Sequence, residues 1–243
     1  MPPAAIGVTI YGEFAVKEEM DMKQLIRLAM VVAMAGAALA VAIPTPKVHS
    51  ADKDKEARFS QLKMEQLNDQ QRPFAEEIMK ISSIGISGPY NSMLRSPVMG
   101  QRLFNLLDYV RFNTSVPRKL NEFAILIQAR LWTSQVEWYA HYPLAIKAGL
   151  PEAVAADLKE GKRPASMQPD EAAVYDFCME LSTKHEVSDA TFKRTRELFS
   201  EQQVIDLIAV SGTYITAAML ANTAEETVPA GKTPPLQPLP GRR

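Results

Sequence analysis

Apolar residues along this chain recur at three- and four-residue spacing, and no segment alternates like a strand over any length, so the pattern predicts an all-α fold. Phe59 to Ile81 is mostly polar with Leu62, Leu67, Phe74, Ile78 and Met79 interspersed, which predicts one or two short helices with Asn68 or Asp69 as caps. Residues 82–97 are rich in turn formers, with Gly85, Gly88, Pro89 and Pro97 as breakers. Val98, Leu103, Leu106, Leu107 and Val110 set a helix from Pro97 to about Phe112. After it, Thr114 or Ser115 can cap a helix with Pro117 in its first turn and an apolar stripe of Leu120, Phe123, Ala124, Ile127 and Leu131.

A further helix runs to about Ala148, where Gly149 is a natural stop. A short helix is expected over 150–161 and a further helix from Asp170 to His185, the latter with Val174, Phe177, Cys178 and Leu181 on one stripe. Another runs from a cap at Ser188 through Phe199, and a last, apolar one from Glu201 to Asn222. That last helix reads as core or subunit interface. From Val228 onward the chain has five prolines in 16 residues, which predicts an extended or disordered tail, 228–243.

The N-terminus carries a different pattern. From Met22, the basic residues Lys23 and Arg27 precede an uncharged apolar run of 16 residues, Leu28 to Ile43, followed by small residues. This is the plan of a secretory signal peptide, shorter than the ~20 residues that cross a bilayer comfortably. Residues 22–51 are therefore read as a signal peptide. Residues 1–21 are read as an upstream extension, 52–58 as a charged leader and 59–227 as the folded domain. The expected location is periplasmic or secreted, with no membrane attachment after cleavage.

Composition narrows the chemistry. Twenty-seven Lys and Arg against 28 Asp and Glu give a net charge of −1, with no electrostatic reason to expect nucleic acid as a partner. One cysteine, Cys178, excludes a disulfide framework and dithiol redox chemistry within one subunit. Cys178 falls on an apolar stripe and reads as a buried small hydrophobe, and His185 as a solvated loop residue. Only three histidines exist, His49, His141 and His185, too few for a histidine-rich metal site.

The stretch "TSQVEWYAHYP", Thr133 to Pro143, places Glu137 and His141 four residues apart, on one face of a helix. Such a pair can be a surface ion pair, part of a metal site or a catalytic couple. In one straight helix Glu122 would lie about 22 Å from Glu137, at 1.5 Å per residue. A break at "WTS", 132–134, with Thr133 or Ser134 as the new cap, changes that. Glu122 is ten residues before Trp132 and His141 nine after it, so antiparallel arms bring Glu122, Glu137 and His141 together, with Ser134 at the start of the second arm.

The segments "SGPYNSMLRSP", "RFNTSVPRKLNEFAIL" and "EWYAHYPLAIKAGL" resemble the carboxymuconolactone decarboxylase family of the AhpD-like superfamily, over roughly Phe59 to Asn222. The resemblance implies a helical bundle whose hairpin carries the site, and a homo-oligomer, a trimer or hexamer. It also implies one of two chemistries: decarboxylation of a carboxylated lactone, or thiol-dependent hydroperoxide reduction of the peroxiredoxin type through CxxCxxxH and an upstream glutamate. Aligned on the motif histidine, His141 takes its place and Glu122 that of the upstream glutamate. Ser134 and Glu137 stand where the peroxidase branch has its cysteines.

With both thiols missing, the expected activity is a lyase's: cofactor-free acid–base chemistry on a small carboxylate or lactone, with no metal. Losing CO₂ leaves electron density on carbon that must be stabilised and protonated. His141, Glu137, Glu122 and Ser134 are the expected catalytic group. Arg111, Arg130 and Trp138 are candidates for binding the substrate, a guanidinium fork suiting a carboxylate. The alternatives are a peroxidase, which the missing CxxC disfavours, and a non-catalytic oligomeric binding protein.

Overall fold

The computed structural model describes residues 58–82 and 84–239, so the signal-like segment and the extension before it lie outside the described residues. The described chain is all helical. After a 3-10 turn at Met64–Gln66 come α1 (Gln71–Ile81), the five-residue α2 (Pro89–Met93), and α3 (Pro97–Asp108), which runs on into a π-helical turn, Tyr109–Asn113. Then follow α4 (Arg118–Leu131), α5 (Gln135–Lys147), α6 (Glu152–Lys159), α7 (Pro169–Lys184), α8 (Asp189–Leu198) and α9 (Glu201–Ala224).

Several starts follow the local chemistry read from sequence. The Asn68 carboxamide accepts from the amides of Gln70 and Gln71 at 3.1 and 3.0 Å, and caps the entry to α1. Ser188 accepts from the amide of Thr191, and Ser200 forms a reciprocal box with Gln203 at the head of α9. One expected cap is different. Pro117 occupies the cap position of α4, and the Thr114 and Ser115 side chains turn away to Asp206 on α9, at 3.2 and 2.7 Å. The hydroxyls donate to a tertiary carboxylate, and the one local amide bond, from Val116 to Thr114 Oγ1 at 3.2 Å, lies before the helix begins.

Helix α4 is the centre of the molecule. The expected one-sided stripe is exceeded, because every residue from Leu120 to Arg130 is buried, with α5, α7 and α9 packed around it. Its polar residues need partners inside: Asn121 donates to the carbonyl of Val110 at 3.0 Å, and Gln128 accepts from Ser182 at 3.0 Å. The main core joins α4 to Trp138, Leu150, Val174, Phe177, Leu207 and Val210. Helix α9 is long and apolar enough to cross a membrane by composition, yet more than half of its apolar window is buried in this core.

A second, smaller core gathers Phe74, Ile78, Met93, Leu94 and Phe104 where α1, α2 and α3 meet. Helices α2 and α3 approach closely there because residue 100 is glycine. A Cβ at Gly100 would stand 2.6 Å from the Met93 carbonyl oxygen and 2.7 Å from the Phe74 ring. A cavity opens at the seam between the two cores.

The tail turns at 229–232, where the Lys232 amide donates to the Pro229 carbonyl at 3.0 Å, then runs without helix to Leu239, and it is docked. Gln135 and Leu236 exchange two hydrogen bonds of 2.8 Å, and Leu236 is buried in the main core.

Candidate active site

The hairpin turn is built by a Schellman motif. The amide of Ser134 donates to the carbonyl of Ala129 at 2.8 Å and that of Thr133 to Arg130 at 3.1 Å, with Thr133 left-handed at φ 50°. The chain reverses within three residues and α5 returns along α4. Ser134 stands at the cap position of α5, but its side chain makes no capping bond.

The reversal brings Glu122 and His141 to the same level. Nδ1 of His141 lies 2.7 Å from Oε2 of Glu122, and both residues are buried. The other carboxylate oxygen of Glu122 pairs with Arg118, one turn earlier, at 2.9 Å. On the opposite edge of the imidazole, Nε2 lies 3.7 Å from Oε2 of Glu137, an electrostatic contact longer than a hydrogen bond. Burial pushes the Glu137 carboxyl above its ordinary range, and His141 and Arg111 pull it part of the way back. The imidazole is thus flanked by two carboxyls: one ion-paired with Arg118, the other raised by burial.

Two further elements close the site. Tyr214 of α9 packs edge-on to the His141 ring, with centroids 4.9 Å apart and planes at 87°. The π-helical turn after α3 delivers Arg111, whose guanidinium lies over the Phe112 ring 4.8 Å from its centroid. Such turns are frequent at functional sites because the extra residue re-aims side chains. Arg111, Glu137, His141 and Tyr214, with Ser82, supply polar groups to the lining of a cavity of about 240 Å³. Tyr90, Met93, Leu107 and Ala217 supply apolar wall, and the exposed Ile81, Ile84 and Phe112 form a rim. The volume is below the ~300–1,000 Å³ of sites for drug-sized ligands, so the cavity suits a compact molecule.

The remaining candidates from sequence lie elsewhere. Ser134 is fully buried and its hydroxyl has no hydrogen-bond partner among the described residues, but it does not line the cavity. Trp138 is turned about 100° from Glu137, as adjacent helical residues must be, and stacks on Tyr142 within the core. Arg130 is about 12 Å along α4 from Glu122. It lines a separate, smaller cavity with Tyr175 and Leu239. Neither Trp138 nor Arg130 faces the space beside His141. Cys178 is fully buried, 3.6 Å from the Ser211 hydroxyl, and burial pushes its thiol up to about 11. His185 is exposed at the end of α7.

Tyr214 was not marked by sequence reasoning. Its signal is a phenol amid small and apolar residues, "SGTYITAAML", where a buried hydroxyl requires a partner. Among the described residues, no three His, Cys, Asp or Glu side chains are grouped so as to hold a metal ion.

No protein-family model matches the chain, and no curated protein does. Among solved structures it is similar to the crystal structure of an alkylhydroperoxidase AhpD core, an uncharacterized peroxidase-related protein from Ralstonia eutropha JMP134. The two are 19% identical, with a TM-score of 0.57, over 69% of this chain and 89% of that one. The fold is therefore AhpD-like: an all-helical bundle in which a hairpin, here α4–α5, holds Glu122, Glu137 and His141.

Proposed function

We propose that this protein is an enzyme of the carboxymuconolactone decarboxylase type, carrying out cofactor-free, lyase-type acid–base chemistry on a small carboxylate or lactone. One observation carries the reading: the buried Glu122–His141 couple, 2.7 Å long, whose His141 lines a cavity that also holds Arg111. A surface ion pair needs neither the burial nor the cavity.

In this scheme Arg111 holds a substrate carboxylate, a role a guanidinium fork suits. The bond to the departing carboxylate breaks, CO₂ leaves, and the electron pair is delocalised into the substrate's lactone or keto carbonyl as an enolate. His141 delivers a proton to that carbon, typically worth 10²–10⁴ in rate when such a group is well positioned. Glu122 orients the ring and stabilises its charged form, and Glu137 returns the proton. The thiol alternative has little to draw on, since the chain's one cysteine is buried in the core and its thiol is held protonated. Export of the mature chain and assembly into a homo-oligomer, trimer or hexamer, belong to the same proposal. The exposed Ile205, Ile208 and Met219 on α9 offer apolar surface for such assembly.

The test is a screen of the purified protein against lactones and β-keto acids, following CO₂ release or lactone absorbance, with His141→Gln as control. Turnover that falls at least 100-fold in the variant supports the reading. Absence of turnover on every member of both classes sinks it.

A further inference from the structure

Tyr214 is the part of the site that the proposed proton chemistry leaves unused. Its side chain is 2% exposed, and its hydroxyl has no hydrogen-bond partner among the described residues. Leaving a buried hydroxyl unsatisfied costs about 1–3 kcal/mol, so such a group calls for an explanation. Its position supplies one, because Tyr214 lines the same cavity as Arg111, Glu137 and His141. The Arg111 guanidinium, in turn, makes no hydrogen bond or ion pair among the described residues; it lies over Phe112 and acts at longer range on Glu137 and Tyr214.

We propose that Tyr214 and Arg111 form a two-point receptor for an anionic oxygen, with the phenol donating one hydrogen bond and the guanidinium supplying the countercharge. The ligand class follows: a compact anion bearing a carboxylate or an enolate-like oxygen. A neutral amide or ester of the same shape is discriminated against. This rests on the proposed function for its meaning, since it places the substrate's charged end opposite the proton carrier, but its geometry stands without it.

Two features keep the receptor selective. Burial and the nearby Glu137 carboxyl hold the Tyr214 phenol well above its ordinary value, so it remains a donor throughout the working range. Glu137, the one acid in the cavity lining, has its carboxyl raised by burial, and His141 and Arg111 beside it offset its charge. Glu122 is already matched to Arg118 and His141. The Tyr214 ring has a second duty, holding the His141 ring edge-on, which a phenylalanine would preserve.

The test uses benzoate and benzamide, a charged and a neutral probe of nearly equal size, titrated calorimetrically at pH 7 into wild type, Tyr214→Phe and Arg111→Gln. Wild type is expected to prefer benzoate at least tenfold. Tyr214→Phe should weaken benzoate about tenfold, the scale of one hydrogen bond to a charged group. Arg111→Gln should abolish the preference. In the ligand-free state Tyr214→Phe should melt at or above the wild-type temperature, which separates lost recognition from lost folding. Benzoate binding unchanged in Tyr214→Phe, or no preference in wild type, overturns the receptor. Binding is read without turnover. A protein that passes but decarboxylates nothing loses only its lyase assignment, and a lyase whose Tyr214→Phe variant binds normally loses only the receptor.

Discussion

Nδ1 of His141 and Oε2 of Glu122 meet at 2.7 Å across the α4–α5 hairpin, 19 positions apart in sequence. With the carboxylate as acceptor, this bond assigns the proton to Nδ1 and leaves Nε2 facing Glu137. Glu122→Gln keeps the shape but offers an amide that can accept or donate, so the ring loses its fixed tautomer. The expected outcome is a fold weakened by about 1.5–3 kcal/mol, the range for a lost bond to a charged group. Nitrogen chemical shifts of His141 should change from one tautomer to a mixture. A wild-type ring protonated on Nε2 alone would contradict this assignment.

The turn that makes the hairpin uses a β-branched residue in a left-handed conformation, Thr133 at φ 50°, where glycine is usual. Left-handed geometry costs a non-glycine residue about 1–2 kcal/mol, and glycine forfeits roughly half to all of 1 kcal/mol in chain entropy. Thr133→Gly should therefore stabilise the protein by about 0.5–1 kcal/mol in urea denaturation. A destabilised variant would mean that the Thr133 side chain makes a compensating contact.

These two features were legible in different ways. The hairpin could be read because the turn signal at 132–134 is local, and because simple counting from Trp132 levels Glu122 with His141. The complete burial of α4 could not, since an amphipathic stripe reports one packed face and this helix is covered on all sides. Thr114 and Ser115 look like caps and instead bind a carboxylate more than 90 positions away. The docking of Leu236 escaped notice for a related reason: a single leucine among prolines has no periodicity. Tyr214 was hidden by the uniform apolarity of α9. Local chemistry sets where helices begin, and tertiary partners decide what their polar residues do.

Asp206 is the clearest case of such a partner. Its carboxylate accepts from the Ser115 amide at 2.8 Å and from the hydroxyls of Ser115, Thr114 and Tyr109, tying α9 to the segment that carries Arg111. Burial acts to raise this carboxyl, but the bonds from Ser115, Tyr109 and Thr114 outweigh it and hold it below its ordinary value. A depressed carboxyl contributes stability that is present above its unfolded pKa and is lost as pH falls through the folded one. Asp206→Ala should lose about 2–4 kcal/mol at neutral pH, as expected when several buried donors are orphaned. Its deficit should shrink below about pH 4, the ordinary range of an aspartate. Chemical denaturation of both proteins at pH 7 and pH 3 measures this, and an equal deficit at both pH values would rule out the charge as the cause.

Glu226 predicts the opposite slope. The chain turns through a left-handed Glu225 at the end of α9, and Glu226 reaches α2, where it accepts from the Ser92 hydroxyl at 3.2 Å. Burial pushes its carboxyl up to about 6; the Ser92 bond works against this and the charge of Glu137 adds to it. A raised carboxyl contributes stability that is complete below its unfolded pKa and is lost as pH rises through the folded one. The window therefore runs from about pH 4.5 to just above 6. Across it the native state holds a proton that the unfolded chain has released, so stability falls as pH increases. Glu226→Gln keeps an acceptor for Ser92 and removes the titration. At pH 7 the variant should be more stable than wild type by roughly 1 kcal/mol, allowing for partial solvent screening of a shift of this size. At pH 4 the two should coincide. Melting temperatures from pH 4 to 8 decide it: the curves must diverge upward through pH 6, and parallel curves would show that Glu226 titrates alike in the folded and unfolded chain.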